Sequence, residues 1–297
     1  MHEAIEKILV PTDGSEESES AFAAILPLVK AYAPEVTVLY VLEDPDASYS
    51  PPSQIAKVCR GVRSAGMNAH LELREGKPAE EILRAAKAKN VDLIAMSTHG
   101  RSGVRRLVAG SVAESVLRRA VVPLLVTRQG SNSQSWKKIV VALDGSGRGD
   151  SILPDAFRLA KKLGSTIDFV RVALPIVNPT GVGEIPMIPF PPDDPMPYLK
   201  TVVARAKSEG IDANAVGLEG RASFEILRHL EESGAGLLCM ATHGRTGLTR
   251  VLMGSIAEEM VRKAPCPVLL RRSVIWADES GKGAPSKGVE VCGAGAE

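Results

Sequence analysis

The chain has 297 residues, enough for two domains with separate cores, and its 36 Lys and Arg against 35 Asp and Glu leave no basic surplus for neutralising a nucleic-acid backbone. A hydrophobic share of 44% beside 24% charged residues describes a folded chain, and 4% aromatics leave the core to Val, Ile, Leu and Ala, as in a parallel sheet covered on both faces. The four cysteines, Cys59, Cys239, Cys266 and Cys292, form no C-x-x-C pair, Met1 to Lys7 lacks a signal-peptide core, and no apolar run reaches the ~18 residues of a bilayer span, so the expected setting is a reducing cytoplasm with neither membrane nor nucleic acid as partner.

The first apolar run, Ile8 to Pro11, reads as a strand. The turn Asp13-Gly14-Ser15 follows, and then a helix that places Ala21, Ile25, Leu28 and Tyr32 on one face. Val36 to Leu42 and His70 to Leu73 are the next strands, with a second helix between them. A third helix starts at Pro78, a good first-turn residue, and buries Ile82, Leu83 and Ala86. Leu93 to Met96 is the fourth strand, the loop Ser97 to Ser111 follows, a last helix runs from Ser111, and Pro123 to Val126 is the fifth strand. Ser111 with Glu114, and Ser255 with Glu258, have the spacing of capping boxes.

The pattern then repeats. Lys7 to Ser15 is echoed by Lys138 to Ser146 at an offset of 131, and Thr98 to Arg119 matches Thr242 to Lys263 at an offset of 144 with 11 identities in 22 positions. The change of offset implies a 13-residue insertion in the second copy, placed at about 175–197, where eight prolines predict an extended surface excursion. The expected organisation is a first domain over 1–128, a Gly/Ser/Gln/Asn-rich linker over 129–136, a second domain over 137–272 and a disordered tail over 273–297.

Alternating strands and helices predict an α/β fold: two tandem doubly wound domains, each with a five-stranded parallel sheet. Ligands of such sheets sit beyond the carboxyl ends of the strands, where the strand order reverses. That singles out Thr12, Asp13, Val41 and the loop from Ser97 to Ser111. The loop reads Ser97-Thr98-His99-Gly100-Arg101-Ser102-Gly103 and later Gly110-Ser111, and its counterpart reads Ala241-Thr242-His243-Gly244-Arg245-Thr246-Gly247 and Gly254-Ser255. Glycines admit an anion close to backbone N–H groups, a helix start adds free donors and a positive dipole end, and Ser102, Ser111 and Arg101 add side-chain donors, which together suit a polyphosphate. A structural turn is the competing reading. Neither a P-loop nor a G-x-G-x-x-G fingerprint is present. His99 and His243 are read as pins for the loop rather than acids or bases, Asp13 and Asp144 as ribose or metal contacts or else helix caps, and Arg148-Gly149-Asp150 as a coincidental adhesion-like tripeptide.

D-G-S after the first strand, T-H-G-R-[ST]-G after the fourth and G-S-[VI]-A-E on the last helix resemble the universal stress protein family in a tandem form. The resemblance covers about Lys7 to Arg128 and Lys138 to Arg272. It implies strand order 3-2-1-4-5 and, for the ATP-binding branch, a G-x-x-G motif, nine residues, then G-[ST]; the spacing from Gly100 to Gly110-Ser111 and from Gly244 to Gly254-Ser255 agrees. Ser97 and Ala241 replace the motif's first glycine, which implies a narrower space or a left-handed backbone that these residues disfavour.

The residues so implied at the nucleotide are Pro11, Thr12, Asp13, Val41, Gly100, Arg101, Ser102, Gly103, Gly110, Ser111 and Val112 in the first copy. In the second they are Ala142, Leu143, Asp144, Val172, Gly244, Arg245, Thr246, Gly247, Gly254, Ser255 and Ile256. The expected ligand is ATP with Mg2+, with no catalytic residue and no protein metal site. The chain therefore reads as a nucleotide-holding stress-response or regulatory protein, with a slow ATPase or phosphotransferase, and a nucleotide-free interaction module, as alternatives. Family members pair through fifth strands, so the resemblance implies that the two copies imitate a dimer and that homodimerisation and protein partners, not identified by the sequence, are expected.

Overall fold

A computed structural model describes residues 4–43, 58, 62, 67, 69–98, 111–131, 135–173, 194–242 and 253–272. In the first copy the strands are β1 (Lys7–Thr12), β2 (Glu35–Leu42), β3 (Ala69–Glu75), β4 (Leu93–Ser97) and β5 (Leu124–Thr127). Its helices are α1 (Glu16–Tyr32), α2 (Pro78–Lys89) and α3 (Ser111–Arg119). The second copy has β6 (Lys138–Ala142), β7 (Thr166–Ala173), β8 (Ala213–Glu219), β9 (Leu237–Ala241) and β10 (Val268–Arg271). Its helices are α4 (Leu153–Leu163, preceded by a 3-10 turn over Gly149–Ile152), α5 (Met196–Ser208), α6 (Ala222–Ser233) and α7 (Ser255–Lys263).

All ten strands form one sheet, in the order β3-β2-β1-β4-β5-β10-β9-β6-β7-β8. Each copy is parallel with internal order 3-2-1-4-5, and the single antiparallel pairing joins β5 to β10, setting Val126 opposite Val268, Leu125 opposite Leu269 and Leu124 opposite Leu270. The apolar fifth strands, which on their own would be exposed edges, cover one another within the chain.

Period-two alternation sorts the strand residues into two cores. Ile8, Val10, Val38 and Leu93 face the layer containing α1, whereas Leu9, Leu39, Ile94 and Met96 face the layer of α2 and α3. Both cores run across the seam, since Leu125 and Leu269 share the first and Leu124 and Leu270 the second. Two polar contacts reinforce it: Arg128 Nε donates to the carbonyl of Ala264 at the end of α7 (2.9 Å), and the Tyr32 hydroxyl donates to the carbonyl of Arg158 (3.2 Å). A cation at the last carbonyls of a helix also meets the negative end of its dipole.

Helix α2 starts at Pro78 as expected, with Ile82, Ala85 and Ala86 buried and Leu83 only half-buried. The proline-rich stretch needs one correction. Its last residues do not continue an extended excursion: Pro195 is the N-cap of α5 and Pro197 lies in its first turn, where a missing N–H removes no helical hydrogen bond. The part of that stretch before Asp194, the segment between β2 and β3 apart from Glu43, Val58, Val62 and Met67, and the tail over 273–297 lie outside the described residues.

Cys239 and Cys266 are buried free thiols, and burial pushes both up, Cys266 to about 12. In a chain carrying Cys59→Ser and Cys292→Ser, a thiol reagent at pH 8 is expected to label these two only as the protein unfolds. The folded state holds their protons where the unfolded state releases them. Their stabilising contribution is therefore full below pH 9, the ordinary thiol value, and falls as pH rises towards 12, which urea titrations across that range would read.

Candidate functional site

β1 and β4 are paired neighbours whose following helices pack on opposite faces of the sheet, and so are β6 and β9, the arrangement in which ligands of such sheets bind beyond the carboxyl ends of the strands. After β1, Gly14 adopts φ 77°, a left-handed turn that a glycine takes without strain. This lets the Asp13 carboxylate fold back: its Oδ1 accepts from the N–H of Ser15 (3.0 Å) and from the Ser15 hydroxyl (2.6 Å). Ser15 in turn caps α1, accepting from the N–H of Ser18 (3.2 Å). The Thr12 side chain is buried against α1, its hydroxyl 2.7 Å from that of Ser18.

The second copy repeats the turn with different support. Gly145 has φ 79°, and Asp144 Oδ1 accepts from the N–H (3.0 Å) and hydroxyl (2.7 Å) of Ser146. Ser146 accepts from the N–H of Gly149 (3.1 Å). A Cβ on Gly149 would stand 2.2 Å from Asp144 Oδ1, so any side chain here would displace the Asp144 carboxylate. Leu143 replaces Thr12 and is buried on the α4 side. Pro11 and Ala142 are buried at their strand ends, and Val41 and Val172 are half-buried in the layer of α2 and α6, which Ala142 shares.

Beyond β9, Thr242 N–H donates to the carbonyl of Arg271 (2.9 Å), and Thr242 returns its own carbonyl to the N–H of Gly254 (2.8 Å). Gly254 is extended (φ −62°, ψ 144°) and is the N-cap of α7, with no side-chain cap. This corrects the capping-box expectation for Ser255 and Glu258. Ser255 is the first helical residue, Glu258 donates its N–H to the Gly254 carbonyl (3.0 Å), and the Gly254 N–H is already held by Thr242, so a reaching glutamate has nothing to satisfy there. The N-cap of α7 is a glycine and contributes no side chain of its own, which suits an anion. Ile256 is 38% exposed in its first turn, and Val112, its counterpart in α3, is half-buried against the core.

A second correction concerns Ser97 and Ala241. Both end strands, and neither is among the described residues with left-handed φ, so the missing glycine imposes no backbone strain at either place. Ser111 opens α3 as expected. Gly100, Arg101, Ser102, Gly103 and Gly110, their counterparts Gly244, Arg245, Thr246 and Gly247, and both His99 and His243 lie outside the described residues.

Three residues beside the second turn escaped the sequence reading. Asp150, from the tripeptide read as coincidental, accepts through Oδ1 from the hydroxyl of Tyr198 on α5. Arg171 lies 5.8 Å from the centre of the Tyr198 ring. Burial, then the hydrogen bond and charge of Asp150 and the charge of Asp144, push the Tyr198 phenol well up, against the pull of Arg171, so it stays a neutral donor. The only signal in the sequence was Asp150 one helical turn from Ser146.

A sequence model described as the universal stress protein family matches residues 4–128 and again 135–272. A universal stress protein of Methanocaldococcus jannaschii is 34% identical over 139 residues, covering 41% of this chain and 82% of that protein. A universal stress protein of Mycolicibacterium smegmatis is 21% identical over 294 residues, covering 89% of this chain and 96% of that one. The crystal structure of a universal stress protein from Archaeoglobus fulgidus superposes with a TM-score of 0.69 over 92% of this chain and 98% of its own, at 23% identity, a likeness of fold.

Proposed function

The chain belongs to the universal stress protein family, and from that premise we propose that it holds an adenine nucleotide, ATP accompanied by Mg2+, in one or both of its crevices. The observation that carries this reading is the start of α7. Gly254 is tied to Thr242 through its N–H and, as a glycine N-cap, brings no side chain of its own to the first turn's donors, which suits an anion beyond the strand ends. In this reading Asp13 and Asp144, held by their turns, meet the ribose, and Val41 and Val172 the base. Gly100 to Gly103 with Gly110 and Ser111, and Gly244 to Gly247 with Gly254 and Ser255, hold the phosphates.

Among the described residues no three His, Cys, Asp or Glu side chains gather as a metal site, so the Mg2+ is proposed to sit on phosphate oxygens and water, its usual preference. The nucleotide then acts as a ligand that favours one conformation by mass action.

The test is mass spectrometry of small molecules released from the purified full chain, followed by calorimetric titration with ATP and Mg2+. Up to two equivalents of adenine nucleotide are expected. No released nucleotide and no heat at millimolar ATP would replace this reading with that of an interaction module.

A further inference from the structure

The two first-strand turns make the same contacts to their aspartates but are braced from different places. In the first copy the support seen among the described residues comes from α1: the Ser18 hydroxyl lies against Thr12 and donates to the Ser15 carbonyl (2.8 Å). In the second copy Gly149 stands at the position of Ser18 and Leu143 at that of Thr12, so neither hydroxyl exists. The turn is tied instead to a different helix. Tyr198 on α5 donates to Asp150, the Asp150 N–H donates to the Ser146 carbonyl (3.1 Å), and the Ser146 N–H and hydroxyl hold Asp144.

The Tyr198 ring is held in turn. Arg171 lies over it, and its Nη1 donates to the carbonyl of Asp194 (3.4 Å), whose carboxylate accepts from the N–H of Met196 at the start of α5 (2.8 Å). The first copy has Glu19 where the second has Asp150, and a buried Tyr40 where the second has Arg171. The aromatic residue there belongs to the strand rather than the facing helix.

We propose that Tyr198 is a positioning residue of the second nucleotide site, fixing Asp144 through Asp150 and Ser146, so that recognition of the ribose hydroxyls in this half is set by α5. This deepens the nucleotide-holding reading and rests on it. Tyr198 touches no ligand. Its hydroxyl decides where the Asp144 carboxylate stands, and a carboxylate offset by a fraction of an ångström loses a hydroxyl partner but leaves the base and phosphate contacts intact.

The experiment uses the full chain with Gly110→Asp, which silences the first site, and compares ATP with 2′,3′-dideoxy-ATP by calorimetry before and after Tyr198→Phe. The expected result is a loss of about tenfold in ATP affinity, the size of one weakened hydrogen bond to a charged group, with dideoxy-ATP affinity changed by less than about twofold. The mirror chain, with Gly254→Asp and an active first site, is expected to ignore Tyr198→Phe. Should Tyr198→Phe fail to fold, Asp150→Ala is read the same way, with Asp150→Asn, which keeps an acceptor for the phenol, expected to recover the discrimination. Equal losses for the two nucleotides, or no change for either, overturn the proposal while leaving nucleotide binding in place. A Gly110→Asp chain that binds neither nucleotide overturns the second site and the proposal together.

Discussion

A Gly254→Asp chain is expected to bind ATP in its second half at least about 100-fold more weakly while melting within a few degrees of the parent. The two effects separate because aspartate is a better helix N-cap than glycine: its carboxylate would accept from the second or third N–H of α7 and stabilise that helix by a few tenths of a kcal/mol. Those are the donors proposed for the phosphates, and the new charge also repels them; losing one or two charge-assisted hydrogen bonds accounts for the factor. The new Cβ would meet the Thr242 carbonyl at 3.1 Å, a tight contact that a small shift relieves and that offsets the gain from capping. Calorimetry and thermal melts on one preparation check both halves of the statement. A chain that loses Tm in proportion to affinity would show Gly254 to be structural only.

The largest effect on stability is expected from Gly236→Ala. A Cβ on Gly236 would stand 1.7 Å from the carbonyl oxygen of Ser135 and 2.7 Å from its carbon, so the backbone leading into β6 must move. That backbone carries Trp136, only 2% exposed in the core, and its carbonyl is held by the Ser165 hydroxyl (2.5 Å). Overpacking against backbone together with a displaced core tryptophan is worth about 3 kcal/mol, or roughly 6–12 °C in Tm for a domain of this size. The aligned residue of the first copy is Asp92, which accepts from the N–H groups of Glu6 (2.8 Å) and Lys7 (3.0 Å). One alignment position thus demands a carboxylate in one half and no side chain in the other, and Asp92→Gly is expected to destabilise by only about 1–2 kcal/mol, the worth of those lost contacts. Thermal melts of the two variants side by side test the asymmetry.

That asymmetry marks how far the sequence could be read. Strands such as Val36 to Leu42 announce themselves because a sheet covered on both faces turns every residue of a short run apolar, and the internal repeat fixes which runs are equivalent. The two turns at Asp13 and Asp144 were legible for the same local reason: an aspartate, a glycine able to take positive φ and a serine cap lie within three positions. The capping box at Ser255 was misread because its spacing is right but the strand end had already claimed the Gly254 N–H, a contact made by Thr242 twelve residues away. Tyr198, Asp150 and Arg171 were illegible in a stronger sense. They come from α5, the 3-10 turn and β7, and no period within any one element records their meeting.

The antiparallel joint between β5 and β10 has a consequence for how the halves can change. When two separate subunits pair, one gene writes both surfaces, and dilution parts them. Here a short tether keeps the local concentration of each half around the other in the millimolar range whatever the amount of protein, and every residue has its own codon. Thr12 can become Leu143, Ser18 can become Gly149 and Asp92 can become Gly236 without the same change being forced on the opposite half. The fused pair is thus free to drift into two unlike halves that always travel together.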